Sequence, residues 1–235
     1  MAAQFSCGTG LGDIMALFAM GDLHLPLGIN KPMDIFGRGW ENYVERIYQN
    51  WNRVVATDDT VLICGDFSWA TYLEESIADF EFLHSLPGRK IISKGNHDYW
   101  WSTASKLTAF KNEHGFDDVE FLHNNAVSYG DYAICAARGW KSPFDKDFKK
   151  DDEKIYEREI IRLELSVSEG KKISDKIIVM LHFPPDAGIT DVLEKYGVEK
   201  CVYGHLHGVR EMENEGRDIL VASDFLGFEP LKLLD

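Results

Sequence analysis

The chain has 235 residues, enough for one substantial hydrophobic core, and nothing in its composition marks a hinge between two. With 45% hydrophobic and 27% charged residues it falls among soluble globular proteins, which excludes disordered and fibrous classes. A formal net charge of −14 disfavours a surface that tracks nucleic-acid backbones or lies on an anionic membrane.

Residues 1–14 lack periodicity, and Met15 stands directly before a strand-like run. These residues therefore read as an appended extension, native or not, and residues 15–235 as a single domain. The apolar run from Ile14 to Met20 is too short to span a membrane, and no targeting segment is visible. The cysteines Cys7, Cys64, Cys135 and Cys201 are far apart and form no metal-ribbon spacing, which points to reduced, buried thiols and a cytoplasmic location.

From Met15 onward, short apolar runs alternate with helical patterns, the mark of an α/β protein with strands buried between helices. The first run is residues 16–20. Trp40, Tyr43, Val44, Ile47, Trp51 and Val54 then recur at helical spacing, followed by a second run at 60–64. Ile77, Phe80 and Leu83 to Leu86 mark a second helix, stopped by Pro87-Gly88 before the run at 90–93. A third helix is expected from Ser102 to about Asn112, before the run at 132–137. The charge-dense stretch 141–172 begins as a solvated loop, and Ile155, Glu159, Ile160 and Leu163 suit a surface helix. Three further runs follow at 176–181, 200–204 and 218–223.

Residues able to ligate metals collect in five blocks at the ends of these runs, where open α/β sheets place their ligands. Asp22 and His24 follow the first run, and extended backbone would point both to one side. Asp66 follows Gly65, and Gly95 opens the block Asn96-His97-Asp98. His182 precedes Phe183-Pro184-Pro185, and Gly204 opens the block His205-Leu206-His207, with two imidazoles in one short turn. Alone, the Asp22-His24 and Gly65-Asp66 blocks are common polar patterns, and a histidine ending a strand is more often structural. Gly95-Asn96-His97-Asp98 is a stronger signal, and the two imidazoles of His205 and His207 are costly without a cation between them. Together they supply an imidazole and carboxylate set that suits Mn, Fe, Zn, Ni or Co rather than an all-oxygen Ca or Mg site.

In this order the blocks resemble the signature of the metallophosphoesterases, the calcineurin-like phosphoesterase family, from about Met15 to the end of the chain, within a bacterial-type phosphohydrolase branch. The resemblance implies a four-layer α/β/β/α sandwich of two mixed β-sheets with metals at one edge. It implies Asp22, His24, Asp66 and His207 around one metal and Asp66, Asn96, His182 and His205 around another, with Asp66 bridging. Two divalent cations, Mn expected before Fe, Zn, Ni or Co, would then support in-line attack of a metal-bridging hydroxide on a small phosphomonoester or phosphodiester, a nucleotide among the candidates. His97 is the block histidine left off the metals and is the expected general acid, while Asn96 also touches the substrate phosphate.

Two departures matter. Protein Ser/Thr phosphatases of this family continue the second block as Gly-Asp-x-x-Asp-Arg, whereas here it reads Gly65-Asp66-Phe67-Ser68-Trp69-Ala70. The Asp that would orient His97 and the Arg that would grip phosphate are both missing; Asp98 or Ser68 is the expected substitute for the first and Arg138 for the second, an ordinary structural ion pair being the alternative for Arg138. Tyr72 is not spaced as the ligand tyrosine of purple acid phosphatases. Trp69, Tyr99, Trp100, Trp101 and Trp140 lie near the blocks, either as a stacking wall for a flat substrate group or as packing. A nuclease, disfavoured by the net charge, and a silent protein-binding scaffold of the same fold are the alternatives to a small-molecule phosphoesterase. The intact ligand set favours catalysis over the scaffold.

Overall fold

All seven apolar runs form strands, because β-branched and aliphatic residues flanked by turn residues suit a sheet covered on both faces. The computed structural model describes residues 15–31, 33–212, 214 and 216–235, so the expectation for residues 1–14 falls outside the described part of the chain, as does Cys7. In chain order the main elements are β1 (Leu17–Met20), α1 (Tyr43–Val54), β2 (Thr60–Cys64), α2 (Ile77–Ser85), β3 (Arg89–Ser93), α3 (Ala104–His114) and β4 (Val119–Phe121). Then come β5 (Ala126–Tyr129), β6 (Tyr132–Ala136), α4 (Lys150–Lys171), β7 (Lys176–Met180), α5 (Ala187–Lys195), β8 (Lys200–Tyr203), β9 (Asp218–Leu220) and β10 (Leu231–Leu234).

The strands make two five-stranded sheets, ordered β10-β1-β2-β3-β4 and β5-β6-β7-β8-β9. Each has one antiparallel edge pair, β10 with β1 and β5 with β6, and is otherwise parallel. Side chains alternate accordingly. Leu17, Ala19, Leu62, Cys64 and Ile91 meet Ile134, Ala136, Ile178, Met180 and Val202 between the sheets. The opposite face of the first sheet, with Phe18, Met20, Val61 and Ile63, packs on Ile47, Trp51, Phe80, Leu83, Leu107 and Phe110 from α1, α2 and α3. Ala133, Cys135, Ile177 and Val179 pack on Leu163, Val167, Ile189 and Leu193 from α4 and α5. The result is the expected α/β/β/α sandwich of two mixed sheets. Cys64, Cys135 and Cys201 are free and buried in it.

Helix α4 corrects one expectation. It lies on the second sheet and carries Glu159 into the protein at 0% exposure, so the charge-dense stretch is only partly a solvated face. No helix among the described residues is long and apolar enough to cross a membrane.

Register delivers the blocks to one edge. Met20 pairs with Ile63 and Ile63 with Ile92, so the exits of β1, β2 and β3 are level. Met180 pairs with Val202, which levels the exits of β7 and β8. A parallel bridge between Gly21 and Ala222 ties the two sheets together at that edge.

At the other end of the first sheet, Lys90 is fully buried and its ammonium reaches Asp118 at 2.5 Å and the Leu86 carbonyl. Burial pushes the Asp118 carboxyl up, but the hydrogen bonds and charges of Lys90 and His84 outweigh it and hold the group below its ordinary value. Asp118→Ala strands a buried cation, and is expected to cost about 2–4 kcal/mol in denaturant unfolding at neutral pH. A carboxyl depressed in the folded state stabilises fully above its unfolded pKa of about 3.9 and loses that contribution as pH falls through the folded value. The gap between wild type and variant should therefore narrow on acidification below about pH 4; a gap independent of pH would refute the assignment.

Candidate metal centre

The loops leaving β1, β2, β3, β7 and β8 bring Asp22, His24, Asp66, Asn96, His182, His205 and His207 to one place. The backbone there is strained. Asp22, His24, Asp66 and His205 all adopt left-handed φ, at 57°, 46°, 49° and 70°. Non-glycine residues rarely do so, and such outliers persist where the surroundings enforce them, typically at functional sites. The expected extended geometry for Asp22 and His24 is thus corrected: they share the site because each bends out of the strand direction.

Close approach between blocks requires two of the glycines. A Cβ on Gly95 would collide with the Asp66 carboxylate and amide, and one on Gly204 with the Asp22 carboxylate.

The donor atoms form two groups. In the first, His24 Nε2 and His207 Nε2 face each other at 3.2 Å, Asp66 Oδ2 lies 3.7 Å from His24 Nε2, and Asp22 Oδ1 lies 3.9 Å from His207 Nε2. In the second, His182 Nε2 stands 2.6 Å from Asn96 Oδ1, 3.2 Å from His205 Nδ1 and 3.5 Å from Asp66 Oδ2. Asp66 Oδ2 belongs to both. Asp22 also reaches toward the second group, with Oδ1 3.7 Å from His182 Nδ1.

A divalent metal fits these residues. Two nitrogens each about 2.1 Å from one ion at tetrahedral or octahedral angles lie roughly 3.0–3.4 Å apart, which brackets both histidine pairs. Asp22 Oδ1 is buried with no hydrogen-bond partner among the described residues, a costly state for a carboxylate oxygen that a cation would relieve. Burial, with the charge of Asp66, drives the Asp22 carboxyl well above its ordinary value, and burial raises Asp66 to about 6. Burial pushes His182 and His205 down to about 3 and His24 well below its usual range, leaving the neutral imidazoles that metals bind.

Asp98 does not orient His97. Its buried carboxylate accepts the amide N–H groups of Asp66, Phe67 and Gly95 at 2.9, 2.9 and 2.7 Å and the Trp100 indole N–H at 3.0 Å, locking the second block to the third. Burial and the Asp66 charge raise it to about 7 against these donors. Nor does Ser68 orient His97, because its hydroxyl donates to Asp79. The His97 ring instead packs on Trp69, centroids 4.7 Å apart, while its backbone N–H binds Asp66 Oδ1 at 2.8 Å.

His24, His97 and His207 open on a cavity of about 720 Å³ walled by Trp40 and Trp69, with Arg46 and Arg210 in its lining. Trp69 stacks on His24 at 4.6 Å. Trp100 belongs to the core, against Phe67 and Phe80, and Tyr99 is exposed and meets His97 edge-on at 6.1 Å, outside the cavity lining. Arg138 lies elsewhere: its guanidinium pairs with Glu159 and stacks on Trp140, and it lines a different cavity with Trp101.

Sequence reasoning missed Asp224. It accepts from His207 Nδ1 at 2.9 Å and from the Gly208 N–H at 2.8 Å, fixing the ring that faces His24. Its position was signalled, since it follows the run 218–223 as the other blocks follow theirs. Trp40 was read only as a helix position.

Comparisons with known proteins agree with this architecture. A family model described as calcineurin-like phosphoesterase matches residues 15–209. No curated protein matches the chain. Similar solved structures include a protein of unknown function from Aquifex aeolicus, at 16% identity and TM-score 0.52, covering 93% of this chain and 95% of that one. They also include the protein TT1561 of Thermus thermophilus, at 10% identity and TM-score 0.50, covering 94% and 98%. At these identities the likeness is one of fold. With the family model spanning most of the chain and the metal-binding constellation assembled at the sheet edge, this chain belongs to the calcineurin-like phosphoesterase family.

Proposed function

We propose that the chain is a dinuclear metal-dependent hydrolase of a small phosphomonoester or phosphodiester. The observation that carries this reading is the sharing of Asp66 Oδ2 between two groups of nitrogen and oxygen donors. His24, His207 and Asp22 would hold one cation, His182, His205 and Asn96 the other, with Asp66 between them. Two divalent cations held there would acidify a water and neutralise charge on the phosphoryl oxygens. Mn is expected first, with Fe, Zn, Ni and Co as competitors.

The chain's own residues do the rest. His97 projects beside the metal ligands and lines the cavity, where it hands a proton to the departing oxygen. Asn96 would contact the phosphate as well as hold a metal. A cavity of about 720 Å³ favours a small substrate, with Arg46 and Arg210 to meet additional negative charge. Its tryptophan walls suit a flat group such as a nucleobase. Three buried free cysteines fit a reducing, cytoplasmic setting.

Hydrolysis of bis(p-nitrophenyl) phosphate and of p-nitrophenyl phosphate with added Mn tests the proposal. Asp66→Asn should lower turnover by roughly 100-fold or more, since it removes the shared ligand. Absence of turnover in the wild type with Mn, Fe, Ni, Co and Zn would sink the enzyme reading in favour of a scaffold. Asp224→Ala should weaken Mn affinity about 10- to 100-fold in a metal-binding titration, through loss of the bond that orients His207. Unchanged affinity would mean that the bond is only structural. His97→Gln should lower kcat by about 10²-fold or more for an alkyl phosphate and much less for a p-nitrophenyl ester, whose leaving group needs no proton. Equal losses on both substrates would remove His97 from the acid role.

A further inference from the structure

A second cavity of about 730 Å³, which shares no lining residue with the metal cavity, lies between α3, β4, α4 and the segments that follow β3 and β6. Three cations line it. Lys94 leaves β3, Arg138 follows β6, and Arg162 projects from α4. Arg138 Nη2 and Arg162 Nη1 share one carboxylate oxygen, Glu159 Oε1, at 3.3 and 2.6 Å. Lys94 is half-buried and has no hydrogen-bond or ion-pair partner among the described residues. Three positive groups therefore line the cavity beside one lining carboxylate, Glu159, with the buried Asp98 charge also acting on Lys94, in a chain whose net charge is −14.

Like charges gathered in a concave, partly desolvated place are costly unless a counter-charge joins them. Arg138 Nε and Glu159 Oε2 are both buried and unpartnered among the described residues, so their ion pair leaves a donor as well as an acceptor unused. Guanidinium and ammonium donors converging in this way match the oxygens of a phosphate. Beside them Trp101, Leu107 and Phe121 provide an apolar wall.

We propose that this cavity is a second anion site, which binds a phosphate-bearing small molecule with an apolar or flat moiety, separately from the metal cluster. The phosphate sits among Lys94, Arg138 and Arg162, and the organic part rests on Trp101. The assignment goes beyond the hydrolase reading and does not depend on it, because it needs neither metal nor turnover.

Isothermal titration calorimetry on the full chain, stripped of metal by a chelator and then dialysed, tests it with inorganic phosphate and adenosine monophosphate as probes. Both should bind saturably, the nucleotide more tightly. Lys94→Gln and Arg162→Gln, each verified as folded by circular dichroism, should weaken both by about tenfold or more. Trp101→Ala should weaken the nucleotide alone. His207→Ala, in the metal cluster, should change neither. The proposal is overturned by the absence of saturable binding, by a nucleotide that binds no tighter than phosphate, by unchanged affinity in the Lys94 and Arg162 variants, or by loss of binding in His207→Ala.

Discussion

Two carboxylates, Asp22 and Asp66, lie at 0% and 1% exposure where two hydrophobic sheets meet. An ionised carboxylate in such a place is prohibitive unless positive charge or hydrogen-bond donors surround it. The local structure is built around that demand. Asp22 Oδ2 accepts the His205 N–H at 2.9 Å, Asp66 Oδ1 accepts the His97 N–H at 2.8 Å, and Asp22 Oδ1 is left for a cation.

Meeting the demand imposes costs elsewhere. Amide groups can aim at a carboxylate only if the chain leaves its strands abruptly, and left-handed backbone at Asp22, His24, Asp66 and His205 achieves this. Each such residue costs on the order of 1–3 kcal/mol, which the packed sandwich must offset. Asp98 is part of that support: one buried carboxylate ties the backbones of two blocks together, so that the ligands of β2 and β3 hold a common register. Its role is positional, and it frees His97 to face the cavity on Trp69.

Charge is segregated in a chain that is acidic overall. Acidic residues outnumber basic ones 39 to 25, while Arg46 and Arg210 line the metal cavity and Lys94, Arg138 and Arg162 line the second. Negative surroundings and local cationic concavities together favour compact anionic ligands over long polyanions, whose flanking charges would be repelled.

Much of this was legible in the sequence. Parallel strands covered on both faces need continuous apolar runs, so the seven runs announced seven strands, and metal chemistry needs particular side chains, so the blocks announced their ligands. Less patterned elements were not legible: β4, β5 and β10 are only partly buried and lack a continuous buried apolar run, and α5 depends on the Asp186 side chain capping Ile189 N–H after a proline pair. Arg138 shows the other limit. Its place beside a block suggested the metal site, but the side chain points to Glu159, a partner 21 residues away on a helix whose buried face was hidden in a charge-dense stretch. The sequence by itself determined which elements form and which ligand chemistry is present, because both follow from local composition and period. Only the tertiary structure decided the left-handed turns, the Asp98 lock, the Asp224–His207 pair and the second cationic cavity, because each depends on which distant segments the two sheets bring into contact.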